Sequence, residues 1–392
     1  MATEPQREII PEHPPLLPPV APSSAPRTSV RQARQKNKLL RRQDRDCSQW
    51  LRRSYQFAFL VLNVYLGGVF YIWVRHFELG ANTRVVTRPP GVEGWLPIAG
   101  MMNFKYWLVT GHVPAIHPAA MFLLVTFVAM AFLFRKAFCS WLCPIGTLSE
   151  YLWRAGRKLF RSNFVLPRWF DIPLRGLKYL LLGFFVWAVS SMSADAIASF
   201  MRSPYGVIAD VKMLNFFRHI GETGLIVLGV LVVASVLVQN FWCRYLCPYG
   251  ALLGLAAVFS PLRVRRNASA CIDCAKCAKA CPSLLPVDKL LSIKSAECTG
   301  CMECVAVCPA EGALHMGLPA LPIRMTSPVP GNSPRLQPWA IAAGIAALLL
   351  GITGFAKTAG HWKTDLPRSM YMELVPHADQ ASHPMPGDPG LR

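Results

Sequence analysis

Five stretches of this chain run apolar, with neither the alternation of a half-buried strand nor the single stripe of a surface helix. They are residues 56–74, 118–134, 177–195, 224–242 and 338–356. Each approaches the ~20 residues an α-helix needs to cross a bilayer core, so the pattern predicts five transmembrane helices. No Asp, Glu, Lys or Arg occurs within 56–74, 118–134 or 224–242. Ionisable groups mark ion and proton pathways in spans, so a pump or ion transporter is disfavoured. Residues 1–30 are rich in Pro and lack periodicity, which predicts disorder. A basic segment, 31–54, follows. Its Arg52-Arg53 pair precedes an apolar run as in a twin-arginine export signal, but no small-residue cleavage site follows, and an uncleaved anchor is expected.

Composition agrees with a membrane protein: 53% of residues are hydrophobic and only 16% charged, well below the charged share of a soluble domain. The net charge of +20 would suit nucleic acid or an anionic surface, yet its placement argues for topology. Residues 31–53, 135–178 and 243–336 hold nine, nine and ten Lys/Arg, against four, three and four in 75–117, 193–223 and 357–392. By the positive-inside rule the first three are cytoplasmic and the C-terminus lies outside. Arg263, Arg265 and Arg266 then sit at the inner leaflet, suited to anionic lipid. No nucleic-acid partner is expected.

The chain repeats itself. Phe138-Cys139-Ser-Trp-Leu-Cys143-Pro144-Ile-Gly146 matches Trp242-Cys243-Arg-Tyr-Leu-Cys247-Pro248-Tyr-Gly250, each after an inward-running apolar segment. Two parallel repeats are predicted, 55–148 and 177–252, joined by a cytoplasmic linker at 149–176. In a helix, residues four apart share a face, so each C-x3-C-P would present two sulfurs to one spot. Together Cys139, Cys143, Cys243 and Cys247 supply four thiolates, enough for a third iron–sulfur centre. The competing readings are redox-active thiols, or small buried side chains before a helix-ending Pro.

Residues 262–320 carry the densest chemistry. Cys271-x2-Cys274-x2-Cys277-x3-Cys281-Pro282 recurs as Cys298-x2-Cys301-x2-Cys304-x3-Cys308-Pro309, the spacing of a bacterial ferredoxin with two [4Fe–4S] clusters. There the fourth Cys of each run ligates the other run's cluster. Cys271, Cys274, Cys277 and Cys308 are therefore assigned to one cluster, and Cys298, Cys301, Cys304 and Cys281 to the second. Zinc uses C-x2-C pairs as well, but seldom three thiolates in a row at that spacing, and disulfides do not explain so regular a pattern. A small α+β ferredoxin insert is predicted, followed by a fifth helix (337–358) and an extracytoplasmic tail (359–392).

None of the nine His falls in a predicted span, and no C-x-x-C-H occurs, so the chain encodes neither a haem b ligand pair nor a c-type attachment. His76, His112, His117 and His219 fall near outer helix ends, where they could flank a quinone head group or be ordinary interfacial residues. The tail carries His361, His377, His383, Met370, Met372 and Met385. Their irregular spacing favours a disordered tail over a copper site.

Paired C-x3-C-P motifs joined to a two-cluster ferredoxin domain resemble the NapH/NosR/CcoG group of membrane ferredoxin-type proteins. The stretches Gly91-Val-Glu-Gly-Trp95, Asn103-Phe-Lys105-Tyr106, Leu166–Arg175 and Asp210-Val-Lys-Met-Leu214 are also similar to that group, over about residues 55–360. The resemblance implies a bacterial inner-membrane electron carrier, or a component of a quinol-linked oxidoreductase, rather than a stand-alone enzyme. It would link the quinone/quinol pool or a cytoplasmic donor to a protein redox partner. A redox-sensing regulator or a metalloenzyme maturation factor is the alternative. The flavin domain of NosR-like members and the β-rich domain of CcoG-like members have no counterpart in these residues. All twelve motif cysteines fall on one side, so a diffusible quinone or a partner's cofactor would complete any path across the membrane.

Overall fold

The computed structural model describes residues 41–42, 46–80, 83, 86–318 and 335–384. The Pro-rich segment 1–30, much of the basic run after it, and Met385 lie outside the described residues. In order, the helices are α1 (Ser48–Glu78), α2 (Pro97–Thr110), α3 (Pro118–Phe134), α4 (Pro144–Phe160), α5 (Arg168–Ser191), α6 (Ala194–Arg202) and α7 (Pro204–Val207). There follow α8 (Ala209–Arg218), α9 (Glu222–Leu237), α10 (Pro248–Val258), α11 (Lys276–Ala280), α12 (Glu303–Ala306), α13 (Pro338–Thr358) and α14 (Arg368–Leu374).

α1, most of α5, and α13 are long and apolar enough to cross a membrane. A fourth crossing forms if α8 and α9, bent by 81° at their junction, count as one broken span. The expected span at 118–134 is a helix of 17 residues, short of that set. It stops where buried Arg135 takes a left-handed φ of 62°, a conformation that costs a non-Gly residue energy. α3 is apolar on every side and buried around most of its circumference, with Met130 and Ala131 fully enclosed, as a helix without a polar face must be. α9 is equally apolar, yet only Ser235 is buried along it. Leu225, Val230 and Val233 stand open, the surface of a helix built to face lipid.

Two apolar cores result. One joins α3, α10 and α13 to Cys277, Cys304 and the strands of the ferredoxin insert. The other gathers the C-terminal end of α1 (Phe70–Phe77), Val92, Met102, Ile197, Val211 and Tyr371. Between them, Lys105 closes the C-terminal end of α5 by donating to the carbonyls of Val189, Ser190 and Met192, satisfying carbonyls that have no helical partner.

The ferredoxin insert is bracketed by two antiparallel strands, β1 (Arg263–Arg266) and β2 (Leu314–Gly317), registered so that Val264 faces Met316 and Arg265 faces His315. This two-stranded clip brings the insert's ends together beside α10. The tail departs from expectation. Rather than lacking order, it folds into α14 and a short 3-10 turn, burying Tyr371, Val375 and Ala378 in the second core. Tyr371 packs edge-on against Trp73, and Arg368 reaches His76. Irregular His and Met spacing concealed an apolar i, i+4 pair, Tyr371 and Val375, which is what docks it.

Candidate metal and electron-transfer site

In the insert, the two Cys runs share a backbone signature. Asp273 and Ala275 flank Cys274 at φ of 54° each, and Gly300 and Met302 flank Cys301 at 64° and 59°. These positions are 27 residues apart, so both loops wind identically. Alternating right- and left-handed residues aim successive N–H groups into one concavity, the nest that suits phosphates and iron–sulfur clusters. Cys277 and Cys304 then enter the short helices α11 and α12, which pack together. Cys308 comes within electrostatic reach of Cys271, Cys274 and Cys277, and Cys281 within reach of Cys298, Cys301 and Cys304. The fourth Cys of each run therefore sits with the other run's three. Leu285 N–H donates to Cys281 Sγ at 3.5 Å. Burial pushes the free thiols up, Cys277 to about 11 and Cys301 to about 12, so loading iron displaces protons. All thirteen cysteines are free thiols. Among the described residues no three His, Cys, Asp or Glu side chains converge as ligands of one ion.

The C-x3-C-P motifs take a form the helical reading did not contain. Each is a π-turn, Phe138–Leu142 and Trp242–Leu246, closed by Cys143 N–H to Phe138 O at 2.8 Å and Cys247 N–H to Trp242 O at 3.0 Å. Pro explains the widening. A residue before Pro is pushed out of helical space, and Cys143 and Cys247 are extended, with ψ of 119° and 104°. Each second Cys becomes the N-cap of a new helix with Pro at its first position, and its sulfur accepts from Gly146 N–H (3.4 Å) or Gly250 N–H (3.2 Å). π-turns recur at functional sites. Here they bring Cys139, Cys143, Cys243 and Cys247 to the wall of one cavity of about 530 Å³, together with Cys301 and Glu297 of the insert. Farther out the same cavity is apolar, lined by Leu62, Leu66, Leu123 and Leu349.

The insert is fastened over this cavity. Ser140 Oγ donates to Thr299 O (2.7 Å), Trp141 Nε1 to Gly300 O (3.3 Å), Gln49 Nε2 to Cys301 O (2.9 Å) and Arg135 Nη2 to Ser295 O (2.6 Å). Buried Arg52 on α1 grips Glu150 of α4 with both nitrogens (2.6 and 2.8 Å) and Glu303 of the insert (2.8 Å), while Arg154 bonds Glu303 from the other side. Burial raises the Glu150 carboxyl, but Arg52 outweighs it and holds the group down at about 2. A third buried network ties Lys178 Nζ to Glu297 Oε1 (2.5 Å), with Lys136 Nζ 4.0 Å from Oε2. Sequence reading passed over these groups. The only hint was Lys178 inside an otherwise apolar span.

Among the described residues the histidines do not assemble a site. His117 is wholly buried in an ion network with Arg88, Glu93 and Asp210. Arg88 bridges Glu93 (2.7 Å) and Asp210 (2.6 Å), and His117 Nε2 donates to Gly206 O (2.9 Å). Burial raises Glu93, and Arg88 with His117 brings it down to about 2. His76 is buried against Thr83 and Arg368, whereas His112, His219, His361, His377 and His383 are exposed.

The comparisons agree with this geometry. A model described as "4Fe-4S binding domain" matches residues 116–163 and again 220–267, each containing one C-x3-C-P, and a "4Fe-4S dicluster domain" matches 263–309. The chain is 48% identical over 341 residues to the Escherichia coli protein named "Putative electron transport protein YccM", covering 86% of this chain and 93% of that one. It is 24% identical over 269 residues to "Ferredoxin-type protein NapH" of E. coli, covering 66% and 86%. It is 30% identical over 195 residues to "Regulatory protein NosR" of Pseudomonas aeruginosa, covering 48% of this chain and 26% of that one. No solved structure matches the chain. With near-full coverage of YccM and all three iron–sulfur segments matched, this chain belongs to the NapH/NosR group of membrane ferredoxin-type, electron-transport proteins.

Proposed function

We propose that this protein is a multi-pass component of the bacterial inner membrane that relays single electrons between the quinone/quinol pool or a cytoplasmic donor and a respiratory redox partner. Its N-terminus and ferredoxin insert face the cytoplasm, its C-terminus faces the periplasm, and five crossings satisfy the Lys/Arg asymmetry. Cys271, Cys274, Cys277 and Cys308 hold one [4Fe–4S] cluster, and Cys298, Cys301, Cys304 and Cys281 hold another. Cys139, Cys143, Cys243 and Cys247 hold a third centre. When bound, such clusters supply one-electron transfer without substrate chemistry, at potentials set by charge, hydrogen bonds to sulfur and exposure. The protein's own contribution is placement. Gly146 and Gly250 donate to the cap sulfurs, Arg52 and Ser140 clamp the insert over the π-turns, and the apolar cavity offers a quinone a dry approach.

One observation carries the reading: Cys301 of the insert shares a cavity wall with all four C-x3-C-P cysteines. Anaerobic purification with iron and sulfide quantification and potentiometric EPR tests it. About twelve irons per chain are expected, three cubanes of four. Zinc, or no metal, in the Cys271–Cys308 insert would end it. A redox-sensing regulator is the second reading, supported by the name of the NosR relative. Quinol-dependent cluster reduction at the pace of an acceptor enzyme favours the relay, and clusters that change state only alongside a target's expression favour the sensor.

A further inference from the structure

Charge is distributed unevenly along the three cysteine groups. Beside the first run, the nearest acidic groups are Asp273, whose carboxylate lies 3.6 Å from Cys271 Sγ, and Asp288, within electrostatic reach of Cys277. Arg42 faces Cys308, and Arg266 stands 3.6 Å from Asp273. Cys274 is exposed to water, which screens all of these. Beside the second group, two cations and two carboxylates alternate, Arg52 and Arg154 with Glu150 and Glu303, and Arg244 comes within electrostatic reach of Cys281.

Beside the C-x3-C-P quartet the balance fails. Lys136 and Lys178, both buried, share the single carboxylate Glu297, to which Tyr179 also donates. Next to them Arg175 and Arg244 share Asp171. Four cations thus face two carboxylates. Lys136 is within electrostatic reach of Cys139 and Cys243, and Lys178 of Cys139. Arg244 is 6% exposed, lines the cavity, and its buried Nη1 has no hydrogen-bond partner among the described residues. Among the described residues no third carboxylate pairs with these four cations, and surplus buried charge is costly. A permanently anionic occupant would offset it.

We propose that Lys136 and Lys178 are positioning residues for the centre held by Cys139, Cys143, Cys243 and Cys247. They would raise its reduction potential above those of the two ferredoxin clusters, so that electrons run from the cytoplasmic insert toward the membrane cavity. The inference rests on the proposed third centre. Burial alone would lower that potential, because reduction adds negative charge to a dry site, and fixed cations oppose this with the full strength of a weakly screened field. The electron lost by a cytoplasmic donor is then gained by an acceptor at the cavity, and no ligand bond changes.

Potentiometric EPR on the whole detergent-purified holoprotein tests this, with wild type, Lys136→Met, Lys178→Met and Lys136→Arg. In wild type the C-x3-C-P centre should have the highest midpoint. Lys136→Met should shift its redox equilibrium at least tenfold toward the oxidised form, 59 mV for a one-electron couple, with the two ferredoxin midpoints in place. Lys178→Met should move it the same way, and Lys136→Arg should restore it. Iron and sulfide counts on each variant separate lost clusters from shifted ones. Three cubanes with an unmoved midpoint overturn the positioning role of the lysines, and a C-x3-C-P centre lowest in wild type overturns the direction of flow. A wild-type count of two cubanes overturns the third centre and this inference together.

Discussion

The two C-x3-C-P copies share a π-turn, a Cys cap and a Pro-started helix, yet they are held by different means. In the first copy the residues between the cysteines, Ser140 and Trp141, bond the insert's backbone at Thr299 and Gly300. In the second, the matching Arg244 and Tyr245 both bond one carboxylate, Asp171 of α5 (Arg244 Nη2 to Oδ1 at 2.9 Å, Tyr245 OH to Oδ1 at 2.6 Å). The helix entering the first copy is core, and the helix entering the second is a lipid-facing surface. Copy one is thus a docking platform, its turn joined to another module by neutral hydrogen bonds and its helix α4 by the ion pairs through Glu303. Copy two has a separately anchored turn, fixed by a buried ion pair to Asp171 of α5. A duplicated motif keeps its turn geometry while the residues between its cysteines diverge to suit each copy's neighbours.

The sharpest way to break copy two alone is Asp171→Ala. It strands Arg244 and Arg175 without their shared carboxylate, and removing one partner of a buried pair costs about 3–5 kcal/mol. Thermal unfolding of the anaerobically purified protein should register that loss, with the insert's own eight-iron complement retained. A variant of wild-type stability would mean that α5 is not the anchor of this copy. Next in size is a paired substitution at equivalent glycines. A Cβ on Gly146 would fall 2.2 Å from Cys139 O, whereas one on Gly250 meets nothing nearer than 3.5 Å. Gly146→Ala must move backbone and should cost about 3 kcal/mol, at the upper end for overpacking, with iron lost from the C-x3-C-P centre. Gly250→Ala should keep both iron and stability. Equal behaviour of the two would deny the asymmetry.

Some of this was legible in the sequence and some was not. Ligand spacing is a local property, so the Cys271–Pro309 runs announced their own loops, and the 27-residue offset is visible without coordinates. The apolar runs became helices close to their expected places, because length and composition suffice for that. The π-turns were not legible as such. Cys-Pro signalled a helix end, but the spacing of the cysteines does not say whether the turn before it tightens or widens. The charge networks were hidden for a different reason. Lys136, Lys178 and Glu297 come from three elements up to 161 residues apart, and no periodicity links them. Glu93 and Asp210 each lay in a family-like stretch, yet nothing in either stretch says that Arg88 joins them.

The starts of the two entering helices extend the contrast. α9 begins after Gly221 with no side-chain cap, whereas α3 begins at His117, held in the Arg88–Glu93–Asp210 network. His117→Asn should destabilise the protein by about 1–3 kcal/mol, the cost of leaving buried partners unsatisfied. Burial lowers the His117 pKa, but Glu93 more than restores it, leaving it raised. The charged imidazolium therefore stabilises the fold fully below the unfolded value of about 6.5, and that share fades as pH rises through the elevated folded value. Glu93, held down at about 2, stays ionised across this window. The gap in melting temperature between wild type and variant should narrow with rising pH, and a gap that widens would assign His117 a neutral role.

The smallest effect separates docking from folding. Ser140→Ala removes one hydrogen bond, from Ser140 Oγ to Thr299 O, worth about 1 kcal/mol. Trp141 Nε1, Gln49 and Arg135 still hold the neighbouring carbonyls of the insert, so global unfolding should scarcely move. What should change is the frequency of local opening. Amide exchange in residues 295–301 should rise about fivefold, the factor that 1 kcal/mol represents, while exchange in the Asp171-anchored turn at 242–247 stays as in wild type. If both turns loosened together, the insert would be fastened to the two copies jointly, and the division into a platform and a separately anchored turn would fail.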